Sequence, residues 1–180
     1  SGMLREDLGM LPPGDIRNCI MSLANTEPTM QKLLNYRFTE GSLAGQSFGN
    51  LFLAAMNGIS GSFDEAVHRM GDVLAITGRV LPVTNQNVRL EAEFDNGSRC
   101  LGESKIFYAK KLNDCRIRKI RLVPEHPQPL PDALEAIADA DVIVLGPGSL
   151  YTSIIPNFLV DGISEAVTRA QALKCYVLNI

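Results

Sequence analysis

The order of helical and strand patterns predicts an α/β fold: a doubly wound, mainly parallel sheet carrying a small antiparallel β insertion over residues 79–123. Three observations carry this reading. Val142-Ile143-Val144-Leu145 is a continuous apolar run, the pattern of a parallel strand covered on both faces. From Asp132 onward, helix and strand patterns alternate in the order of half a doubly wound sheet. Between Arg79 and Val123 the period falls to two, with Val88, Leu90, Ala92 and Phe94 alternating against Arg89, Glu91 and Glu93, so one face of this unit is wet.

The elements follow in order. Pro12-Pro13-Gly14 turns the chain into a helix carrying Ile16, Cys19, Ile20 and Leu23, with Asp15 placed to cap it. A second helix covers Thr29 to Phe38, entered after Pro28, and a glycine-rich loop from Gly41 to Asn50 leads into a helix at Leu51–Met56. Ser62-Phe63-Asp64-Glu65 matches a capping box before a helix through Ile76, which Gly78 terminates. Asp95-Asn96-Gly97 is a hairpin turn leading to a partner strand from Arg99 to Phe107, and a third strand spans Arg116 to Val123. Four prolines between Pro124 and Pro131 make a stiff linker. A helix at Asp132–Ala140, a strand at Val142–Leu145, a helix at Asp161–Leu173 and a strand at Cys175–Ile180 complete the pattern. Residue 1 enters with no strand before it and the chain stops in mid-strand. Residues 1–180 are therefore expected to be a partial single α/β domain lacking its N-terminal strand and C-terminal segment.

With 46% hydrophobic and 21% charged residues, the chain can bury a full core. A net charge of −3 argues against nonspecific nucleic-acid binding. Lys105, Lys110, Lys111, Arg116, Arg118, Lys119 and Arg121 cluster on what reads as a solvated face of strands. Cys19, Cys100, Cys115 and Cys175 form no zinc pattern and read as reduced packing residues of a cytoplasmic protein. No apolar run is long enough to span a membrane, and no signal peptide opens the chain. His68 and His126 read as surface residues. No catalytic triad, carboxylate pair or metal-ligand motif stands out.

The candidate site residues lie in three glycine turns that feed helices: Pro13-Gly14-Asp15, Gly45 to Asn50 (with Gln46 and Gly49), and Gly146 to Ser153. Helix starts attract anions, because their first amides lack partners and the helix dipole is positive there. In the last turn, Gly146 and Gly148 let the backbone approach a ligand and Pro147 stiffens the loop. Ser149, Tyr151, Thr152 and Ser153 add hydroxyl donors at the carboxyl edge of the strand, where open α/β sheets place ligands. This is an anion or phosphate cradle, or else a plain strand-to-helix turn. Beside the first turn, Arg17 can clamp a phosphate, Asn18 can bond a sugar or base, and Asp15 caps the helix or holds a metal. Asn50 caps or binds, and Asn179 at a strand end faces the ligand crevice.

Together, LPPGDIRNC at 11–19, AGQSFGN at 44–50, GES at 102–104 and LGPGSLYTSIIPN at 145–157 resemble one family across nearly the whole chain. It is the gluconeogenesis factor, or YvcK-like, branch of the family that also contains 2-phospho-L-lactate transferase. The resemblance implies a Rossmann-like fold and a bacterial cytoplasmic protein that binds a UDP-sugar such as UDP-N-acetylglucosamine and is linked to gluconeogenic growth and cell shape. A homodimer and an unidentified protein partner are further implications. It also implies an earlier strand with a Gly-Gly-Gly-Thr-Gly loop, an Asp-Asp-Gly-Gly-Ser-Ser-Gly segment ending as Ser1 and Gly2 do, and a continuation past Ile180. On a transferase reading, a phospholactyl-type group moves from a nucleoside diphosphate carrier, with Mg2+ held by that Asp-Asp segment. The family loop usually carries histidine where this chain has Gln46, which can hydrogen-bond but cannot cycle a proton near neutral pH.

Overall fold

The computed structural model describes residues 8–178, apart from the side chains of 110, 111 and 113. The chain divides into two compact units, at residues 1–85 and 86–180.

Unit 1 is helical: α1 (Gly14–Leu23), α2 (Pro28–Asn35), α3 (Phe48–Ile59) and α4 (Phe63–Val73). Each helix buries one stripe. In α4, Phe63, Ala66, Val67 and Met70 recur at helical spacing and pack with Ile20, Leu34, Leu53 and Met56 into one core. Each large side chain buried there contributes about 1.5–3 kcal/mol. The ends of α1 and α4 are tied together, as Thr77 N–H donates to the Leu23 carbonyl at 3.0 Å. Helix α1 starts two residues before an Asp15 cap would place it, with Pro13 at the N-cap position, so Asp15 lies inside the first turn and caps nothing. Helix α3 begins at Phe48, capped by the Ser47 hydroxyl, which accepts from Asn50 N–H at 3.3 Å. Asn50 is therefore not the cap.

The Ser62 box forms as expected, shifted by one residue on its return arm. Ser62 Oγ accepts from Glu65 N–H at 3.4 Å, while Glu65 Oε2 accepts from Gly61 N–H at 2.6 Å. Helix α4 stops at Val73, short of Ile76. The stop is not Gly78: Ala75 takes φ +48° and Ile76 N–H reaches back to the Gly71 carbonyl at 3.1 Å. The box also fixes a pH response. The Ser62 hydroxyl, then Asn85 Nδ2 at 2.5 Å, hold the Asp64 carboxyl below its usual range; the Gly61 N–H, then Arg69, do the same for Glu65. Folded values lie below unfolded ones, so this stabilisation is full above the unfolded carboxylate range and is lost as pH falls through the folded values. An Asp64→Asn, Glu65→Gln variant should be less stable than the parent chain at about pH 6, with the gap narrowing as pH falls below the unfolded carboxylate range. Urea midpoints across that range check it; a gap independent of pH would refute the assignment.

Unit 2 carries the strands. β1 (Arg89–Phe94) lies between β2 (Arg99–Leu101) and β3 (Ile117–Val123) in an antiparallel sheet, with Glu91 opposite Leu101 on one side and Arg121 on the other. Leu90, Ala92, Phe94, Ile120 and Leu122 are buried, while Arg121 Nη2 donates to Glu93 Oε2 at 3.0 Å on the opposite face. The expected hairpin turn is present, with Gly97 at φ +80° and Asn96 Oδ1 accepting from Ser98 N–H at 2.9 Å.

The partner strand ends at Leu101 instead of Phe107. Gly102, at φ +104°, turns the chain out of the sheet, and residues 103–113 form helix α5 (Glu103–Asn113), which packs Ile106 against β1 and β2. Lys105, Lys110 and Lys111 therefore belong to a helix and not to a strand face. Alternation by itself does not separate a short strand from the first turns of a helix, and the helix-forming Glu, Lys, Ala and Leu of this segment decide in favour of α.

Beyond α6 (Pro131–Ala138), strand β4 (Val142–Leu145) pairs in parallel with β5 (Leu173–Tyr176), Val142 opposite Leu173 and Val144 opposite Cys175. Between them lie a helical segment, α7, wound as a π-helix over Leu150–Ile154 and as an α-helix over Ile155–Phe158, and then α8 (Ile163–Arg169). The α/β class is thus present, with two parallel and three antiparallel strands among the described residues. The expectation that β4 is covered on both faces does not hold: Val142 and Val144 are 52% and 56% exposed, whereas Ile143 and Leu145 are half-buried. Strand β5 begins two residues earlier than expected. Of the cysteines, Cys115 is buried but Cys19 and Cys175 are exposed, so the packing role holds for only part of the set.

Candidate functional site

The loop after β4 is shaped by two close approaches. Gly146 sits at φ +87°, and a Cβ there would stand 2.5 Å from the Val177 carbonyl oxygen. Val177 N–H in turn donates to the Leu145 carbonyl at 2.8 Å, so the loop leaves the sheet directly over the chain that follows β5. Gly148 faces the first turns of α7, where an added Cβ would meet Ser153 Cβ at 3.2 Å and Ile154 Cδ1 at 3.3 Å. The Ser149 carbonyl accepts from both Ser153 N–H at 2.8 Å and Ile154 N–H at 3.1 Å, which opens the π-winding. Pro156, with no N–H, follows, and Asn157 Nδ2 donates to the Ser153 carbonyl at 2.7 Å.

Ser149, Tyr151 and Thr152 of this loop line a cavity of about 800 Å³ together with Glu103, Ser104, Phe107 and Tyr108 of α5, and with Asp114 and Ile117. The loop and the start of α5 are far apart in sequence, and the fold of unit 2 brings them to one wall. Phe107 and Tyr108 meet edge to face at 5.6 Å, offering flat apolar surface next to the hydroxyls. The cavity wall therefore mixes hydroxyls, carboxylates and aromatic surface. Pro147 is exposed at the loop tip and Ser153 packs beneath Gly148. Asn179 lies outside the described residues.

The other candidates belong to unit 1. Gly14 opens α1; Asp15 and Asn18 are exposed on its first turns. Arg17 donates from Nη2 to Asn18 Oδ1 at 2.5 Å and from Nη1 to Asn35 Oδ1 at 3.3 Å. Gly45 takes φ +83°, Gln46 and Asn50 are buried, and Gly49 lies under the Arg17 side chain. The loop is held by the backbone of residues 36–38: Phe38 N–H donates to the Gln46 carbonyl at 2.9 Å and Phe48 N–H to the Tyr36 carbonyl at 2.8 Å.

Sequence reasoning missed Phe107, Tyr108, Asp114 and Ile117 as cavity residues because the segment was read as a strand. The signal was Gly102 ahead of Glu103-Ser104-Lys105, a break followed by helix formers. His68 and His126 are exposed and pair with Asp72 and Asp161, both at 3.1 Å. No cluster of three or more His, Cys, Asp or Glu side chains is arranged to hold a metal among the described residues. No helix among the described residues is long and apolar enough to cross a membrane.

A glycine loop that leaves a parallel strand stands at the carboxyl edge of the sheet, the edge where open α/β proteins place their ligands. The particular family is equally defined: all of residues 1–180 match the model of 2-phospho-L-lactate transferase CofD, and the chain belongs to that family. A Thermoanaerobacterium thermosulfurigenes relative is 61% identical over 180 residues, covering 100% of this chain and 56% of its own length. The gluconeogenesis factor of Bacillus subtilis is 47% identical over 182 residues, again 100% of this chain and 56% of the relative. The crystal structure of Bacillus halodurans BH3568, described as a member of the UPF0052 family, is similar at a TM-score of 0.95 and 44% identity, over 100% of this chain and 57% of that one. The chain spans about half the length of these relatives.

Proposed function

We propose that the protein is a nucleotide-sugar-binding regulator of the gluconeogenesis factor type, which takes a UDP-sugar at the cavity of unit 2. The observation that carries this reading is the meeting of the Gly146–Ser153 loop and the Glu103–Ser104 helix start on one cavity of about 800 Å³, within the size range of organic-ligand sites. Backbone amides of Gly148 and Ser149 and the hydroxyls of Ser149 and Thr152 hold the diphosphate. The flat faces of Phe107 and Tyr108 and the acceptors Glu103 and Asp114 receive the base or the sugar hydroxyls. The similarity to the Bacillus subtilis gluconeogenesis factor supports a role in gluconeogenic growth, and control of cell shape, a cytoplasmic location and a Rossmann-like sheet in the whole protein belong to the same proposal.

Calorimetric titration with UDP-N-acetylglucosamine tests it. The parent chain should bind without turnover, and Gly148→Val, which crowds Ser153 and Ile154, should bind at least about tenfold more weakly while keeping its far-UV circular dichroism. Equal affinity in that folded variant would remove the loop from the site. The family description favours one alternative, transfer of a phospholactyl-type group from a nucleoside diphosphate carrier. Preferential binding of GDP, with product formed from an acceptor alcohol, would establish that alternative instead.

A further inference from the structure

The antiparallel sheet of unit 2 turns its charged side chains to one face. On β1 these are Arg89, Glu91 and Glu93, which alternate with the buried Leu90, Ala92 and Phe94. Beside them stand Arg99 and Leu101 of β2, and Lys119, Arg121 and Val123 of β3. A bulge adds one more cation. Glu93 pairs with Lys119 but the next residue, Phe94, pairs with Ile117, so Arg118 is the extra residue, and its guanidinium stands 3.9 Å from the Glu93 carboxylate. The face thus carries five cations and two carboxylates, an excess of positive charge on a chain whose net charge is −3.

The two carboxylates are shared among more arginines than they can neutralise. Glu93 receives Arg121 Nη2 at 3.0 Å, Arg99 Nη2 at 3.3 Å and Arg118 Nη1 at 3.9 Å, and Glu91 receives Arg121 Nη1 at 3.9 Å. Arg121 is half-buried between both carboxylates, whereas Arg99 is exposed and the Arg118 side chain is 74% exposed. Exposed ion pairs of that kind are weak, so a second carboxylate can take these two guanidinium groups from Glu93. Arg89 and Lys119 are exposed as well, and among the described residues no carboxylate pairs with either. At one end of the face the surface turns apolar, where the exposed Leu101 and Val123 lie opposite Glu91 and Arg89.

We propose that this face is a docking surface for an acidic segment of another protein, which lies extended on the sheet with an apolar residue over Leu101 and Val123 and carboxylates on Arg99, Arg118 and Lys119. Charge complementarity selects the occupant. Every second side chain of an extended segment points the same way, about 7 Å apart, and Lys119, Arg121 and Val123 repeat along β3 at that spacing. Nucleic acid is also anionic, but single strands are held on aromatic platforms, and none of the side chains of this face is aromatic. A second copy meeting it face to face would set like charge against like. In this arrangement Glu93 is a resident competitor that occupies the arginines until the partner's carboxylates displace it. Helix α5 packs on the other, buried face, so this surface is separate from the nucleotide-sugar reading and stands without it.

The test is calorimetric titration of the full chain with two synthetic peptides, Leu-Val-Ser-Glu-Ser-Glu-Ser-Glu and the same sequence with glutamine for each glutamate. At about 50 mM salt the glutamate peptide should bind at least about tenfold more tightly, and the advantage should shrink at about 300 mM. Reversing both charges in Arg118→Glu, Lys119→Glu should weaken it by about tenfold, and the milder Arg118→Ala by about threefold. Glu93→Gln should tighten it by about threefold, a gain that a purely structural ion-pair network would not give. Lys105→Glu, at an exposed position of α5, should bind as the parent chain does. Equal binding of the two peptides, or unchanged affinity in a folded Arg118 variant, overturns the proposal. So does tighter binding of an oligothymidylate of equal charge, which reassigns the face to nucleic acid. A changed sedimentation rate of the double variant without peptide also overturns it, in favour of a second copy.

Discussion

Replacing Gly146 by alanine is expected to destabilise the protein by about 2–4 kcal/mol. Two penalties act at once. At φ +87° any L-side chain is strained, which costs about 1–2 kcal/mol, and the new methyl would lie 2.5 Å from the Val177 carbonyl oxygen. A backbone oxygen cannot swing aside as a side chain can, so the chain after β5 must move and the Val177 N–H to Leu145 hydrogen bond of 2.8 Å is weakened. Gly97→Ala separates the two effects, because Gly97 has φ +80° but nothing within 4 Å of the added methyl. That variant should lose about 1 kcal/mol. Chemical unfolding of both checks the argument, and equal losses would show that strain alone governs Gly146.

The second large effect is expected at Gly49, where the backbone is helical and alanine would ordinarily gain about 1 kcal/mol in propensity. Here Gly49→Ala should instead lose about 2–3 kcal/mol. The methyl would meet Arg17 Cδ and the Leu34 carbonyl oxygen, each at 2.6 Å, and only the arginine can give way. Adding Arg17→Ala to Gly49→Ala should recover part of the loss, leaving the Leu34 contact as the remainder. Unfolding free energies of the two single variants and the double variant measure that coupling. Strict additivity would mean that Arg17 and Gly49 do not share the strain.

What could be read from the residues alone was whatever is set by short-range chemistry. Ser62 three residues before Glu65 fixed a helix start, and Asn96-Gly97 fixed a hairpin, because both depend on groups within a few positions of each other. Residues 103–107 were misread as strand because Gly102 changes the chain direction by its own φ, which no periodicity records. The Ser149-to-Thr152 segment was legible as a loop built for a ligand, but its cavity partners Phe107, Tyr108 and Asp114 come from a distant helix.

The two units also differ in how far along the chain their contacts reach. In unit 1 consecutive helices α3 and α4 pack on each other across a turn of three residues, Ser60 to Ser62. In unit 2 the pairings of β1 with β3 and of β4 with β5 close the longer connections at residues 95–116 and 146–172. Closing such loops is entropically costly before any contact rewards it, whereas neighbouring helices associate almost as they form. The helices of unit 1 therefore meet a smaller closure cost than the strands below the Gly146 loop, whose pairing must hold the whole connection between β4 and β5 in place.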